Sequence, residues 1–311
     1  IIWYLLMRRA VITNRRREVF AHASHDNPSQ IEKLIADHSL LGLEYVGLIQ
    51  PNINLTIGSL VVVPSRVEIN NADSKDIFSL RSKGVQFIEY HELYENITRT
   101  VHLSALSDLW FIHSIDYGAH RLFDAFKRII DIAFGLLGSL LFLISLPIIG
   151  TMTKLTSRGP VIFSQERVGQ DGKTFTLYKY RTMTVEGANN TWTAPGDVRI
   201  TSFGRFLRAL RLDELPQSLN ILLGDMSIVG PRPEQVNIVS VLKTQIPYYS
   251  ERHIVKPGLT GWAQLHVYAG SLEETKRKLQ YDLYYIKHRS LLFDLEIILK
   301  TFYNVITFSG R

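Results

Sequence analysis

Between residues 27 and 97 the apolar positions switch between two rhythms. Asn27-Pro28 followed by Ile31, Leu34 and Ile35 has helical spacing behind a capping residue, with proline in the first turn. Short apolar runs over 44–50, 60–63 and 85–90 predict buried strands, and 73–83 predicts a further helix. This alternation predicts a small α/β module with a parallel sheet. A dinucleotide site would need a glycine turn, yet Phe20-Ala21-His22-Ala23-Ser24-His25-Asp26 has none, which points to a regulatory or scaffolding role. Ahead of it stand seven apolar residues, Ile1 to Met7, then Arg8, Arg9 and Arg15-Arg16-Arg17. Apolar before basic is the reverse of a signal peptide and matches the cytoplasmic end of a spanning helix, so further membrane segments are expected upstream. An apolar first strand is the alternative.

The run 132–149 holds 18 residues and no charge. Lys127 and Arg128 precede it, Lys154 and Arg158 follow it, and both pairs suit anionic headgroups on one side of a bilayer. As a straight helix it measures about 27 Å, marginal for a crossing. Pro147 removes one backbone hydrogen bond, and Ser145 is placed to satisfy a freed group. The expectation is a re-entrant membrane helix over about 127–152; a buried core helix is the plainer alternative. Beyond it, 161–168 and 175–180 read as a hairpin about the turn Gln170-Asp171-Gly172-Lys173. Lys179 and Arg181 then share one face, suited to phosphate, although a solvated strand face is the commoner fate of such a pair.

Phe203, Phe206, Leu207 and Leu210 mark the buried stripe of another helix, with Arg205, Arg208 and Arg211 on a second face. Forked guanidinium donors suit a diphosphate. Asp213 stands where a new helix should start, followed by Pro216, Leu219, Leu222 and Leu223. A helix N-terminus and nearby arginines favour its anion, and an ionised aspartate near phosphorus is a competent nucleophile. Glu214 is of the type that holds Mg2+. Alone, such a pair is usually a helix cap. Downstream, Pro231-Arg232-Pro233 presents an arginine on a stiff loop, and Trp262 in Lys256-Pro257-Gly258-Leu259-Thr260-Gly261-Trp262 either stacks on a base or fills core. Near the end, Leu291-Leu292-Phe293, Ile297-Ile298-Leu299, Phe302, Tyr303 and Phe308 give an apolar face that fits an interfacial helix or a core-facing one.

At 311 residues the chain is long enough for about two domains. Zero cysteines excludes disulfides, thiolate nucleophiles and cysteine-ligated metals. The ten histidines show no metal spacing. The net charge of +6 is uneven: residues 1–120 hold 11 basic against 13 acidic side chains, net −2, and the remainder 24 against 16, net +8. The basic part could meet nucleic acid, lipid headgroups or a polyphosphate. Its cations cluster beside carboxylates and do not form an aromatic-interleaved groove, which disfavours nucleic acid.

These words carry a resemblance. From about Arg121 to Arg311, Lys127-Arg128-Ile129-Ile130-Asp131, Gln165-Glu166-Arg167-Val168-Gly169, Tyr178-Lys179-Tyr180-Arg181-Thr182-Met183, Leu212-Asp213-Glu214-Leu215-Pro216-Gln217, Gly224-Asp225-Met226-Ser227 through Pro231-Arg232-Pro233, and Tyr281-Asp282-Leu283-Tyr284-Tyr285 resemble the bacterial sugar transferase family, the monotopic polyprenyl-phosphate phosphoglycosyl transferases. Gly84-Val85-Gln86-Phe87 and Leu106-Ser107-Asp108-Leu109-Trp110 resemble the Rossmann-like module of its larger members. The family usually breaks its re-entrant helix at a Ser-Pro about three residues earlier, where Ile144 stands here.

The resemblance implies an α/β Rossmann-like module over 1–118 and an α+β membrane-associated catalytic domain over 119–311, with a re-entrant helix and interfacial amphipathic helices. It implies that Asp213 attacks the β-phosphorus of a UDP-sugar, expels UMP and carries the sugar phosphate until polyprenyl phosphate takes it, with Glu214 serving Mg2+. Lys179, Arg208, Arg232 and Asp282 match positions linked to phosphate or substrate handling, and Arg181, Arg205 and Arg211 join them as candidates. The implied setting is the cytoplasmic face of a bacterial inner membrane, at the start of exopolysaccharide, capsule or O-antigen assembly. UDP-glucose is the expected donor by analogy with large members. Membrane lipid is an expected partner, and the N-terminal module offers a surface for a second copy. The alternative is a catalytically silent scaffold.

Overall fold

A computed structural model of the protein describes residues 17–22, 28–49, 55, 57–63, 80–81, 84–115, 121–184, 197–267 and 270–307. The apolar start with its first arginines, the chain just after His22, most of the expected helix over 73–83, and Phe308 lie outside them. The chain forms two compact units, Ile1–Ala105 and Leu106–Arg311. The second therefore begins ahead of the division expected after residue 118.

The first unit is built on four parallel strands, β1 (Arg17–Ala21), β2 (Leu43–Leu48), β3 (Leu60–Val63) and β4 (Gln86–Glu89), in the order β2-β1-β3-β4. Three match the expected strands. One of the two inner strands, β1, was not foreseen, because Val19, Phe20 and Ala21 are too short an apolar run after three arginines. Side chains alternate across the sheet. Val19, Ala21, Leu60, Val62 and Ile88 pack with Ile31, Leu34 and Ile35 of α1 (Pro28–Asp37) and with Leu93 and Ile97 of α2 (Tyr90–Thr98). Phe20, Val61 and Val85 form a separate cluster with Phe87. Apolar clusters built from alternate residues of the same strands are the mark of a sheet covered on both faces.

The second unit opens with α3 (Asp108–Ser114) and is organised by α4 (Arg121–Thr156), a continuous helix of 36 residues with Pro147 inside it. Ser145 Oγ at 3.0 Å and Tyr180 OH at 3.3 Å both donate to the Phe142 carbonyl, which is not the one Pro147 frees: that is Leu143's, four residues before the proline. One stripe of α4 is buried, through Asp131, Gly135, Ser139, Phe142, Ile149, Gly150 and Thr153. The other sides are apolar and open: Leu136, Leu137, Leu140, Leu141, Leu143, Ile144 and Ile148 are 48–69% exposed. Among the described residues, α4 is therefore not buried as a core helix would be. α4 is long and apolar enough to cross a membrane.

The basic residues ahead of this run are not lipid-facing anchors. Lys127 pairs with Asp294 at 2.5 Å, and Arg128 donates to the carbonyls of Ile221 and Leu222, both at 2.7 Å. Those carbonyls end α6 (Gln217–Leu223), where unpaired acceptors and the negative helix pole attract a cation. Lys154 and Arg158 are exposed. Asp131 is buried and accepts from Ser227 Oγ at 3.0 Å and the Ile228 amide at 2.9 Å, fixing α4 to β7 (Ser227–Val229). α4 and α6 cross where side chains are small. A Cβ on Gly138 would lie 2.7 Å from Ser218 Cβ, too close for any other residue, and Ser139 bonds Ser218.

The expected hairpin is present as β5 (Ile162–Val168) and β6 (Thr174–Tyr180), with Ile162 opposite Tyr180 and Val168 opposite Thr174. α5 (Ser202–Ala209) follows, capped by Thr201. Tyr180, Leu207, Leu212, Leu215 and Leu219 pack on Phe142 and Ile149 of α4. After β7 come α7 (Val236–Gln245), β8 (Gly258–Thr260, parallel to β7), α8 (Leu272–His288) and α9 (Leu291–Ile306). α9 buries Phe293 and Ile297 while Leu292, Leu295, Leu299, Phe302, Tyr303 and Ile306 stay 50–66% exposed.

Candidate active site

α5 ends at Ala209, and Arg211 turns the chain by adopting a left-handed backbone, φ 58°. Leu212–Glu214 then make one 3₁₀ turn before α6. In such a turn residues three apart lie on one side, so Leu212 and Leu215 both enter the core beside α4 and Asp213 and Glu214 occupy the other sides. Asp213 therefore does not cap a helix as expected. The arginine row is also broken: Arg205 is exposed on α5, Arg208 donates from Nε to Thr182 Oγ1 at 2.8 Å, and Arg211 leaves the helix to face Glu214.

Both carboxylates are buried, Asp213 at 7% and Glu214 at 8% exposure, but their surroundings differ. Glu214 Oε1 lies 3.3 Å from Lys179 Nζ and 3.4 Å from Arg232 Nη2, and Oε2 lies 3.6 Å from Arg211 Nη1. Burial pushes its pKa up, and these cations overcome that and hold it at about 2. Among the described residues, no hydrogen bond or ion pair reaches the Asp213 carboxylate. Burial, followed by the neighbouring Glu214 charge, raises its pKa against the pull of Lys179, Arg208 and Arg211. The nearby cations favour the Asp213 anion, in the direction expected, but burial and the Glu214 charge outweigh them.

Lys179, Arg211, Arg232, Asp213 and Glu214 come together. Arg208 stands beside them, close enough to favour the Asp213 anion. Arg181 does not join: it follows β6, is 6% exposed, and donates from Nη2 to the Ser157 carbonyl at 2.8 Å, near the end of α4. Asp282 is sealed in a pair with Arg252 at 2.7 Å, the two side chains 2% and 1% exposed, and among the described residues no hydrogen bond or ion pair joins it to Asp213 or Glu214. Trp262, 3% exposed among His266, Phe293 and Lys300, fills core and does not offer a face to a base.

The structure also supplies residues that sequence reasoning missed. Arg252 had no periodic or motif signal. Asn220, wholly buried on α6, accepts from the Tyr178 amide at 3.2 Å and donates to the Thr176 carbonyl at 2.7 Å, fastening α6 along β6. Gly204 at the start of α5 touches the Thr182 backbone so closely that a Cβ would fall 2.1 Å from its carbonyl oxygen.

Asp213 and Glu214 are the residues here that could hold a divalent ion, a sparse donor set. Among the described residues no group of three acidic or histidine side chains forms a cage. Two adjacent buried carboxylates are the protein share that Mg2+ uses when phosphates and water complete its shell. At Glu214 an ion would replace one of the cations now seated there.

A bacterial sugar transferase family model matches residues 122–308, more than half of the chain. The chain belongs to the bacterial sugar transferase family. The UDP-N-acetylgalactosamine-undecaprenyl-phosphate N-acetylgalactosaminephosphotransferase of Aeromonas hydrophila is 42% identical over 59% of this chain and 44% of its own length. The UDP-glucose:undecaprenyl-phosphate glucose-1-phosphate transferase of Klebsiella pneumoniae is 45% identical over 57% of this chain and 39% of its own. The chain thus matches less than half of either. A shorter relative, the exopolysaccharide production protein PSS of Rhizobium leguminosarum, is 35% identical over 58% of this chain and 95% of itself.

Proposed function

We propose that this protein transfers a sugar 1-phosphate from a UDP-sugar to undecaprenyl phosphate, releasing UMP. The observation that carries the reading is the inequality between two neighbouring carboxylates: Glu214 saturated by Lys179, Arg211 and Arg232, and Asp213 without a partner among the described residues. An Asp213 oxygen attacks the β-phosphorus and the bond to UMP breaks, leaving the sugar phosphate esterified to the side chain. An oxygen of undecaprenyl phosphate then attacks the same phosphorus, and Asp213 departs as its carboxylate. Lys179, Arg211 and Arg232 draw the diphosphate in and offset charge as the bond to UMP lengthens. Glu214 and Asp213 would hold Mg2+, which when bound supplies further neutralisation of the phosphates. The names of the relatives support UDP-glucose as the first donor to test and UDP-N-acetylgalactosamine as the second. The intact cation cluster argues against a silent scaffold.

The same folded unit packs on both halves of α4, through Asp131 and Ser139 early and through Ile149 and Gly150 against Val161 late. That supports a helix that enters and leaves the bilayer by one face, with the open side of α9 lying in the interface. The cytoplasmic face of the inner membrane, where UDP-sugars reside, is the setting that follows, and polysaccharide assembly the purpose.

The test is the full chain in lipid nanodiscs with UDP-glucose, undecaprenyl phosphate and Mg2+, followed for UMP and quenched for mass spectrometry. A hexose phosphate adduct on the Asp213 peptide is expected. Product formed at full rate by Asp213→Asn would overturn the nucleophile assignment.

A further inference from the structure

The loop bearing Arg232 has proline on both sides, so amides at 231 and 233 are not available to fix it. Its carbonyls do that work. Four consecutive oxygens each accept one hydrogen bond: Pro231 from the Gly258 amide at 2.9 Å, Arg232 from Arg252 Nη2 at 3.0 Å, Pro233 from Arg167 Nη1 at 3.2 Å, and Glu234 from the Val168 amide at 3.0 Å. The bond at Arg232 itself comes from a side chain with no exposure to speak of. Arg252 spends its remaining donors inward, Nε on Asp282 Oδ2 at 2.9 Å and Nη1 on Tyr249 OH at 3.1 Å.

A buried ion pair is weak as a source of stability, because taking two charges out of water costs about as much as their attraction returns. This one holds the backbone of a residue whose guanidinium reaches Glu214. We infer that Arg252, locked by Asp282 and Tyr249, is a positioning residue that sets Arg232 against Glu214 and the substrate diphosphate. Asp282 acts on the reaction through Arg252 and does not touch substrate. Three directed donors in one plane are what guanidinium offers and ammonium does not, so lysine is no substitute. Lys278 pairs with Glu234 beside the same loop, which adds to the clamp.

The inference rests on the functional reading above, and a double-mutant cycle separates the two. UMP release from UDP-glucose is measured for the full chain in nanodiscs carrying Arg252→Lys, Arg232→Ala or both. A geometric role predicts that Arg252→Lys lowers kcat/KM by about 10- to 100-fold in the native background, the scale of a displacement near 1 Å at a reacting centre. In the Arg232→Ala background the further loss shrinks below about threefold. An equal loss in both backgrounds means that Arg252 serves stability alone, and the inference fails. Should Arg252→Lys not fold, Tyr249→Phe and Asp282→Asn run the same cycle, with a smaller loss that again disappears in Arg232→Ala. If Arg232→Ala releases UMP as fast as the parent, the reading of the site itself fails and takes this inference with it.

Discussion

The two units of this protein use apolar residues in opposite senses. In Ile1–Ala105 most aliphatic side chains of the inner strands point into two clusters, one of them beneath α1 and α2, and Val19, Ala21, Val61, Val62 and Leu93 reach zero exposure. In Leu106–Arg311 the longest apolar stretch turns much of its surface outward, along α4 and again along α9. The difference teaches that hydrophobicity alone does not define a core. In the first unit it is largely removed from water by other parts of the protein, and in the second much of it stays uncovered by the described residues. The proposed chemistry goes with the second arrangement: the carboxylate pair stands on a turn held between α4 and the hairpin.

The sharpest way to break this contrast is at Asp213. Asp213→Asn should lower UMP release by at least about 10³-fold, the scale of losing a covalent nucleophile. Next in size is the outward face of α4. Leu140→Asp places a charge where a bilayer is expected and should weaken partitioning onto vesicles by roughly 100-fold, corresponding to about 3 kcal/mol for a charge at the centre of a membrane helix. Flotation measures it, and unchanged partitioning would place the lipid elsewhere.

A subtler sharpening uses pH. Asp213 must be deprotonated to attack, and its pKa is raised by burial and by Glu214, so the acid limb of kcat/KM should lie above that of an ordinary aspartate. Removing the Glu214 charge with Glu214→Gln takes away one raising influence and frees three cations, so the limb of the residual activity should move to lower pH. A limb that stays put or rises would show that another group controls it. Smallest in catalytic effect is a cavity in the first unit. Leu93→Ala should cost that unit about 2–5 kcal/mol in denaturant unfolding while changing UMP release by less than about twofold.

Much of this was legible beforehand because it depends on local rules. Pro28 begins α1 as its fixed φ suggests, β3 falls where an unbroken apolar run required a buried strand, and the hairpin turns on Asp171 and Gly172. β1 was hidden, since its burial comes from neighbours on both sides and not from its own pattern. At the site, Asp213, Glu214, Lys179 and Arg232 were found from their company in sequence. Arg252 was not, because it announces itself through Asp282 thirty residues later and through a carbonyl twenty residues earlier.

The amino-acid sequence by itself determined the kinds of element, the charge-free helix and the identity of the acidic pair, since these follow from spacing and side-chain chemistry along the chain. Tertiary structure decided which cations reach which carboxylate. Lys127 and Arg128 became internal fasteners, Arg181 went to the end of α4, Asp282 went behind the Arg232 loop, and Asp213 was left without a partner among the described residues. The physical reason is that a long charged side chain can reach several partners within a few ångströms. Its choice depends on which groups folding has stripped of water, a property of the packed molecule and not of any stretch of sequence.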